Sequence, residues 1–231
     1  IVLQMSKKID LILPIQNTPA ASFISFCYSK NYFSGNFSLN NLNFYMHFED
    51  EIVSGGVFPM TQNLFAKVSK NWIAPNLIKK ILYRLFFCRI LVSNIFFPST
   101  YSKNTISLSN NGVLQIEGKN KKVKIMKVFN QILGGLKKEF KSEKILILPF
   151  TKKVLRPGED IHYGGTILKN DVSAHEVSCD QNGQLINNKN FYICDSSSMN
   201  YLSGKPHSFN AMVNATVIAK TYTAKDKSNN F

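Results

Sequence analysis

The chain has 231 residues, a formal net charge of +14 and 44% hydrophobic residues. At roughly 150 residues per domain, that length allows one large or two small domains. A chain of this size buries about 70% of its extended surface, so its core needs neither disulfide nor metal, and with 18 phenylalanines it is too apolar for intrinsic disorder. The charge comes from 28 Lys and Arg against 14 Asp and Glu, mainly lysines spread along the sequence. No zinc-finger spacing or stacking aromatics accompany them, so they read as a solvated basic face and not as a nucleic-acid interface.

Taken in chain order, the first 120 residues read mostly as strands and loops. Phe23, Ser25 and Cys27 alternate weakly. Leu42, Phe44, Met46 and Phe48 alternate with Asn43, Tyr45, His47 and Glu49, the period-two pattern of a half-buried strand, with His47 on its polar, exposed side. Ile81–Phe97 is apolar except for Tyr83, Arg84, Arg89, Ser93 and Asn94. With 17 residues and two arginines it is short and costly for a membrane span. It reads as one buried or partly interfacial helix closed by Pro98, held by core packing in preference to membrane-surface contact. Thr105–Leu108 and Val113–Ile116 flank Asn110-Asn111-Gly112, a hairpin turn.

A denser run of cations at Lys119–Lys127 leads into the clearest helix, Val123–Phe140. Its Ile125, Met126, Phe129, Ile132, Leu133, Leu136 and Phe140 recur at three- and four-residue steps as one apolar stripe, weakened in the middle by Gly134-Gly135. Ile145–Leu148 suits a buried strand ending at Pro149, and Thr151–Asp160 a polar loop. By these patterns the chain is mixed α and β, with no internal repeat and no low-complexity linker. It opens on Ile1 with its first methionine at Met5, as expected for part of a longer polypeptide. No signal sequence stands at this start, and the cytoplasm is the favoured compartment. Cys27, Cys88, Cys179 and Cys194 show neither a C-x-x-C nor a disulfide framework, and no His, Cys and carboxylate grouping has metal-ligand spacing.

The last 75 residues carry the chemistry. His162-Tyr163-Gly164-Gly165-Thr166 sets a histidine before a glycine pair, where backbone can approach a ligand closely. His175 falls in the stretch that follows and reads as a loop residue. Asn182-Gly183 marks a turn, and Phe191–Cys194 reads as a short buried strand ending in Asp195-Ser196-Ser197-Ser198. Pro206-His207-Ser208 then precedes a helix over Phe209–Thr223. Its start favours negative charge, because free N–H groups and the dipole point there.

This ordered set resembles the carboxy-terminal region of the glucose–methanol–choline (GMC) oxidoreductases, flavoenzymes that oxidise alcohols. That family carries His-x-x-Gly-Thr, then a strand of Asn-Leu-Tyr-Val type ending in Asp-Gly-Ser or Asp-Ala-Ser, then a His or Asn opening the last long helix. Here the elements are His162–Thr166, Asn190–Ser197 and His207. His207-Ser208-Phe209-Asn210-Ala211-Met212-Val213-Asn214-Ala215 also aligns in register with the His-Thr-Phe-Thr-Ile-Met-Ala-Asn-Ala of one bacterial branch. Asn210, Ala211 and Ser196 depart from the family's usual residues, and no strand is followed by G-x-G-x-x-G.

The resemblance implies an α+β fold. Residues 1–150 would be an antiparallel substrate-domain sheet with flanking helices, and 151–231 the carboxy-terminal part of an FAD-binding domain. It also implies FAD as cofactor, with His162 as the base that takes the alcohol proton and His207 as its hydrogen-bonding partner. Asp195 and Ser196 would lie along the ribityl–diphosphate, and Ser208 and Phe209 at the flavin pyrimidine. The implied partners are a small alcohol, such as a sugar or polyol, and an amino-terminal FAD-binding segment in cis or in trans. The competing expectation is a catalytically inactive remnant or a binding subunit that keeps the fold without flavin.

Overall fold

Period-two alternation becomes antiparallel strands in the first half of the chain. The computed structural model describes residues 12–28, 42–71, 75–86, 89–109, 111–118, 121–157, 159, 162–170 and 177–228. In order these form β1 (Ile12–Asn17), β2 (Ala20–Cys27), β3 (Leu42–Phe48), β4 (Glu51–Pro59), α1 (Gln62–Val68), α2 (Asn76–Phe86), β5 (Ile90–Phe96), β6 (Asn104–Leu108), β7 (Leu114–Gly118) and α3 (Lys122–Ser142). They continue as β8 (Ile145–Ile147), β9 (Lys153–Val154), β10 (Tyr163–Gly164), β11 (Gln184–Leu185), β12 (Asn188–Tyr192) and α4 (Ser208–Ser228). His175, Cys88, Asn110, Lys119, Gly158 and Asp160 lie outside the described residues.

The fold is mixed α+β with antiparallel sheets. The main sheet runs β3-β4-β5-β2-β8, with β9 also on β2. A second sheet runs β10-β1-β6-β7, and β11 pairs with β12 alone. Strands from both sides of residue 150 share sheets, because β9 joins β2 and β10 joins β1.

Along β2 and β5, alternate residues enter the core on one face. Phe23, Cys27, Leu91 and Ile95 meet Ile125, Phe129, Ile132 and Phe140 of α3. The Phe23 ring sits between those of Phe129 and Phe140, with centroids 6.3 and 6.4 Å away. Burying each such side chain contributes about 1.5–3 kcal/mol. The apolar stripe expected for Val123–Phe140 is the buried face of α3, with Val128 added and Met126 only half-buried. The helix runs straight through Gly134-Gly135. The hairpin around Gly112, the strand Leu42–Phe48 with His47 exposed, and the strand at Ile145 are also as expected.

Three expectations fail. Ile81–Phe97 is not one helix: α2 ends at Phe86, and Ile90–Phe96 is a strand in the middle of the main sheet. A strand covered on both faces reads as an unbroken apolar run, which periodicity cannot tell from a buried helix. Nor is the α2 half core-packed, since its Leu77, Ile78, Ile81 and Leu85 are exposed. The strand expected over Phe191–Cys194 lies at Asn188–Tyr192 and is mostly exposed, because its sheet has only one other strand. Finally, the polar loop Thr151–Asp160 contains β9, which pairs Ala21 with Val154. No helix among the described residues is long and apolar enough to cross a membrane.

The opposite face of the main sheet leads to the site. In register across it stand Ile24, Val92 and Phe58, then Ser22, Asn94 and Gly56, then Ala20, Phe96 and Ser54. Phe65 of α1 packs on Val92 at one end of this row, with Tyr83 of α2 alongside. Phe96 marks the other end.

Candidate functional site

The His162 segment is held on two sides. Gln16 and Asn17 of β1 pair with Gly164 and Tyr163 of β10, and the carbonyl of His162 accepts from the Thr18 amide at 3.2 Å. On the other side, the turn Ser196–Ser198 accepts two bonds, from Gly165 N–H to Ser196 O at 2.8 Å and from Ile167 N–H to Ser197 O at 2.9 Å. Gly165 has φ of +56°, and a Cβ on Gly164 would fall 2.5 Å from Ser196 O. The glycine pair is therefore needed for close approach of one backbone to another.

The turn itself is organised by Asp195. Its carboxylate accepts from the Ser197 amide at 2.8 Å and from the Ser197 hydroxyl. Asn214, in the second turn of α4, donates to Ser198 Oγ at 3.0 Å and accepts from Lys169 Nζ at 2.7 Å. Asp195 and Ser196 thus stand at the end of β12, as the motif suggests, but the Asp195 carboxylate serves the turn.

His207 arrives from a different direction. Gly204 lies against the paired ends of β4 and β5, where Ser54 and Phe96 face each other, and its carbonyl accepts from the Ser54 hydroxyl. A Cβ there would come within 2.5 Å of Phe96 O and 2.6 Å of Ile52 O. Three residues on, His207 begins α4, its carbonyl accepting the first helical bond from Ala211 N–H at 2.9 Å. Among the described residues the amides of Ser208, Phe209 and Asn210 are left over at the helix start, and no acidic residue lies in that first turn. Phe209 is 73% exposed.

These two anchorages bring the histidines together. Their ring centroids are 5.1 Å apart and the planes nearly perpendicular, at 84°. The Phe96 ring lies 4.8 Å from that of His162. His207 is only 7% exposed, while His162 is half-buried. Burial, and secondarily the neighbouring His162, lower the pKa of His207 from the ordinary 6.5 to about 4. It is neutral at physiological pH, and neither ring nitrogen has a hydrogen-bond partner among the described residues.

Sequence reasoning missed Phe96, Gly204 and Lys169. Phe96 lay in the run read as helix, and the other two have meaning only through distant partners. Among the described residues no group of three His, Cys, Asp or Glu side chains could hold a metal ion, and Cys179 and Cys194 are free thiols. No protein-family model and no curated protein matches this chain.

Proposed function

We propose that this chain is the substrate-side, carboxy-terminal portion of an FAD-dependent alcohol oxidoreductase of GMC type, acting on a small alcohol such as a sugar or polyol. The observation that carries the reading is the perpendicular pair His162 and His207 at the open start of α4. The residues fit a flavin edge and a substrate hydroxyl. Two buried imidazole nitrogens on His207 call for a polar partner. The amides of Ser208 and Phe209, at the positive end of a 21-residue helix, suit developing negative charge. Ser196 and the capped Asp195 turn would lie further along the cofactor. The dinucleotide-binding segment would come from elsewhere in cis or from a partner in trans.

FAD, when bound, supplies the acceptor for the hydride that leaves the carbinol carbon. The chain's own residues do the proton work. The substrate hydroxyl passes its proton to an imidazole nitrogen of His162, and the oxygen's freed electron pair closes the carbonyl as the hydride departs. Two imidazoles in contact cannot both carry charge cheaply. The buried one, His207, stays neutral, so the proton is directed to His162. His207 can then donate an N–H to the alcohol oxygen and stabilise its developing charge.

The test is anaerobic flavin reduction by a panel of alcohols in the chain reconstituted with its FAD-binding segment. His162→Ala should retain flavin absorbance and lose about 10²–10⁴ in reduction rate. An unchanged rate would refute the base assignment. A second reading, a flavin-free binding subunit, is favoured by the lack of G-x-G-x-x-G in the sequence. A preparation with its assembled partner that shows no flavin absorbance would select it.

A further inference from the structure

Helix α2 is built inside out. In an amphipathic helix of a soluble domain the apolar stripe turns to the core. Here Leu77 and Leu85 are 69% and 64% exposed, with Ile78 and Ile81 beside them at 45% and 48%. These four positions share one face by helical spacing. The opposite face meets the protein, where Tyr83 is half-buried with its ring 5.2 Å from that of Phe65 in α1. Between α1 and α2 lies a cleft of about 710 Å³ lined by Lys70, Lys79, Lys80 and Arg84 together with Phe65 and Tyr83. Among the described residues none of these four cations is ion-paired. The sequence contains no Asp or Glu from Ile52 to Ile116.

We propose that α2 is a membrane-surface anchor that lies in the headgroup plane of an anionic bilayer. Leu77, Ile78, Ile81 and Leu85 enter the acyl boundary, and the cations of the α1–α2 cleft take lipid phosphates. An apolar stripe facing outward beside a cluster of unpaired cations is the combination an interfacial helix requires, apolar burial plus attraction to negative lipid. A length of 11 residues, about 16 Å, suits lying on a bilayer and not crossing it. An acidic protein surface would satisfy the cations but would leave a convex apolar stripe without a groove to enter. The proposal does not depend on the flavoenzyme reading.

The experiment is co-sedimentation of the full chain with vesicles of phosphatidylcholine containing about 30% phosphatidylserine, and with phosphatidylcholine alone. Binding should require phosphatidylserine and weaken as salt rises from about 0.1 to about 0.5 M. The double variant Leu77→Ser, Leu85→Ser should partition at least about tenfold more weakly, as should Lys80→Glu, Arg84→Glu. Lys137→Glu, Lys138→Glu on the exposed face of α3 makes the same change in net charge elsewhere and should have little effect. Circular dichroism and a urea midpoint confirm that each variant is folded. Equal binding by the leucine variant would overturn the proposal, because adsorption would then follow net charge alone. So would failure of the wild type to sediment, or a self-association removed by the leucine substitutions without vesicle binding.

Discussion

The buried histidine of the pair makes stability depend on pH in a window that can be calculated. His207 in the folded chain titrates near 4, against 6.5 for an ordinary histidine. Above pH 6.5 both folded and unfolded forms are neutral at this position, and the full stability is present. As pH falls below 6.5 the unfolded chain takes up a proton that the folded chain refuses, so stability drops by up to about 1.4 kcal/mol per pH unit. The loss continues until the folded form protonates near 4, and totals about 3 kcal/mol. That is a sizeable part of the 5–15 kcal/mol typical of a domain.

His207→Gln removes the titration while keeping a polar side chain of similar reach. The assay is urea unfolding of both proteins at intervals from pH 7.5 to about 4. Carboxylates titrate in both and cancel in the comparison. The wild type should lose about 2 kcal/mol more than the variant between pH 6.5 and 5. Parallel curves would refute the argument, as would a direct nuclear magnetic resonance titration placing His207 at 6.5. Either result would mean that the ring is solvated or has a partner, and the claim that its neutrality directs the proton to His162 would fall with it.

Three other substitutions or reactions probe the scaffold. Gly204→Ala sets a methyl against two backbone carbonyls that cannot yield, so it should cost about 1–3 kcal/mol in urea unfolding and displace His207. Asn214→Ala strips Ser198 and Lys169 of their helix partner and should cost about 1–2 kcal/mol by the same measurement, with the fold retained. The Cys179 thiol, fully buried and pushed up to about 11 chiefly by that burial, should resist alkylation in the native protein and react only on unfolding. Half-buried Cys194 should react before Cys179 by mass spectrometry.

What could be read from the sequence follows the range of the physical signal. Strand β3, helix α3 and the Gly112 turn depend on neighbours within a few residues, and each stands where its pattern put it. His162 and His207 were legible because each sits beside a local marker, a glycine pair and a helix start. Their 5.1 Å approach depends instead on contacts far apart in sequence. Gly204 touches the backbone of Ile52 and Phe96, more than 100 positions away, and nothing local to Gly204 announces it. The run from Ile81 to Phe97 failed for a different reason. Apolar composition tells that residues avoid water in some setting, but not whether a sheet, a helix or another surface covers them. The same ambiguity put Phe191 in a buried strand, although its two-stranded sheet leaves it exposed.

One face of β5 connects the two regions proposed to act. Near its start Val92, flanked by Ile24 and Phe58, carries Phe65 of α1, with Tyr83 of α2 alongside. At its end Phe96 lies beside His162. The strand advances about 3.3 Å per residue, so Ile90 and Phe96 are roughly 20 Å apart. Between them this face turns polar at its middle, where Asn94 stands between Ser22 and Gly56. The Asn94 amide and the Ser22 hydroxyl can offer hydrogen bonds there. On the proposed alcohol-oxidising reading, such groups would suit a small, hydroxyl-rich substrate better than a long hydrocarbon chain. The proposed anchor would fix where the protein works, and on the proposed alcohol-oxidising reading Ser22 and Asn94 would join the two histidines in choosing the substrate.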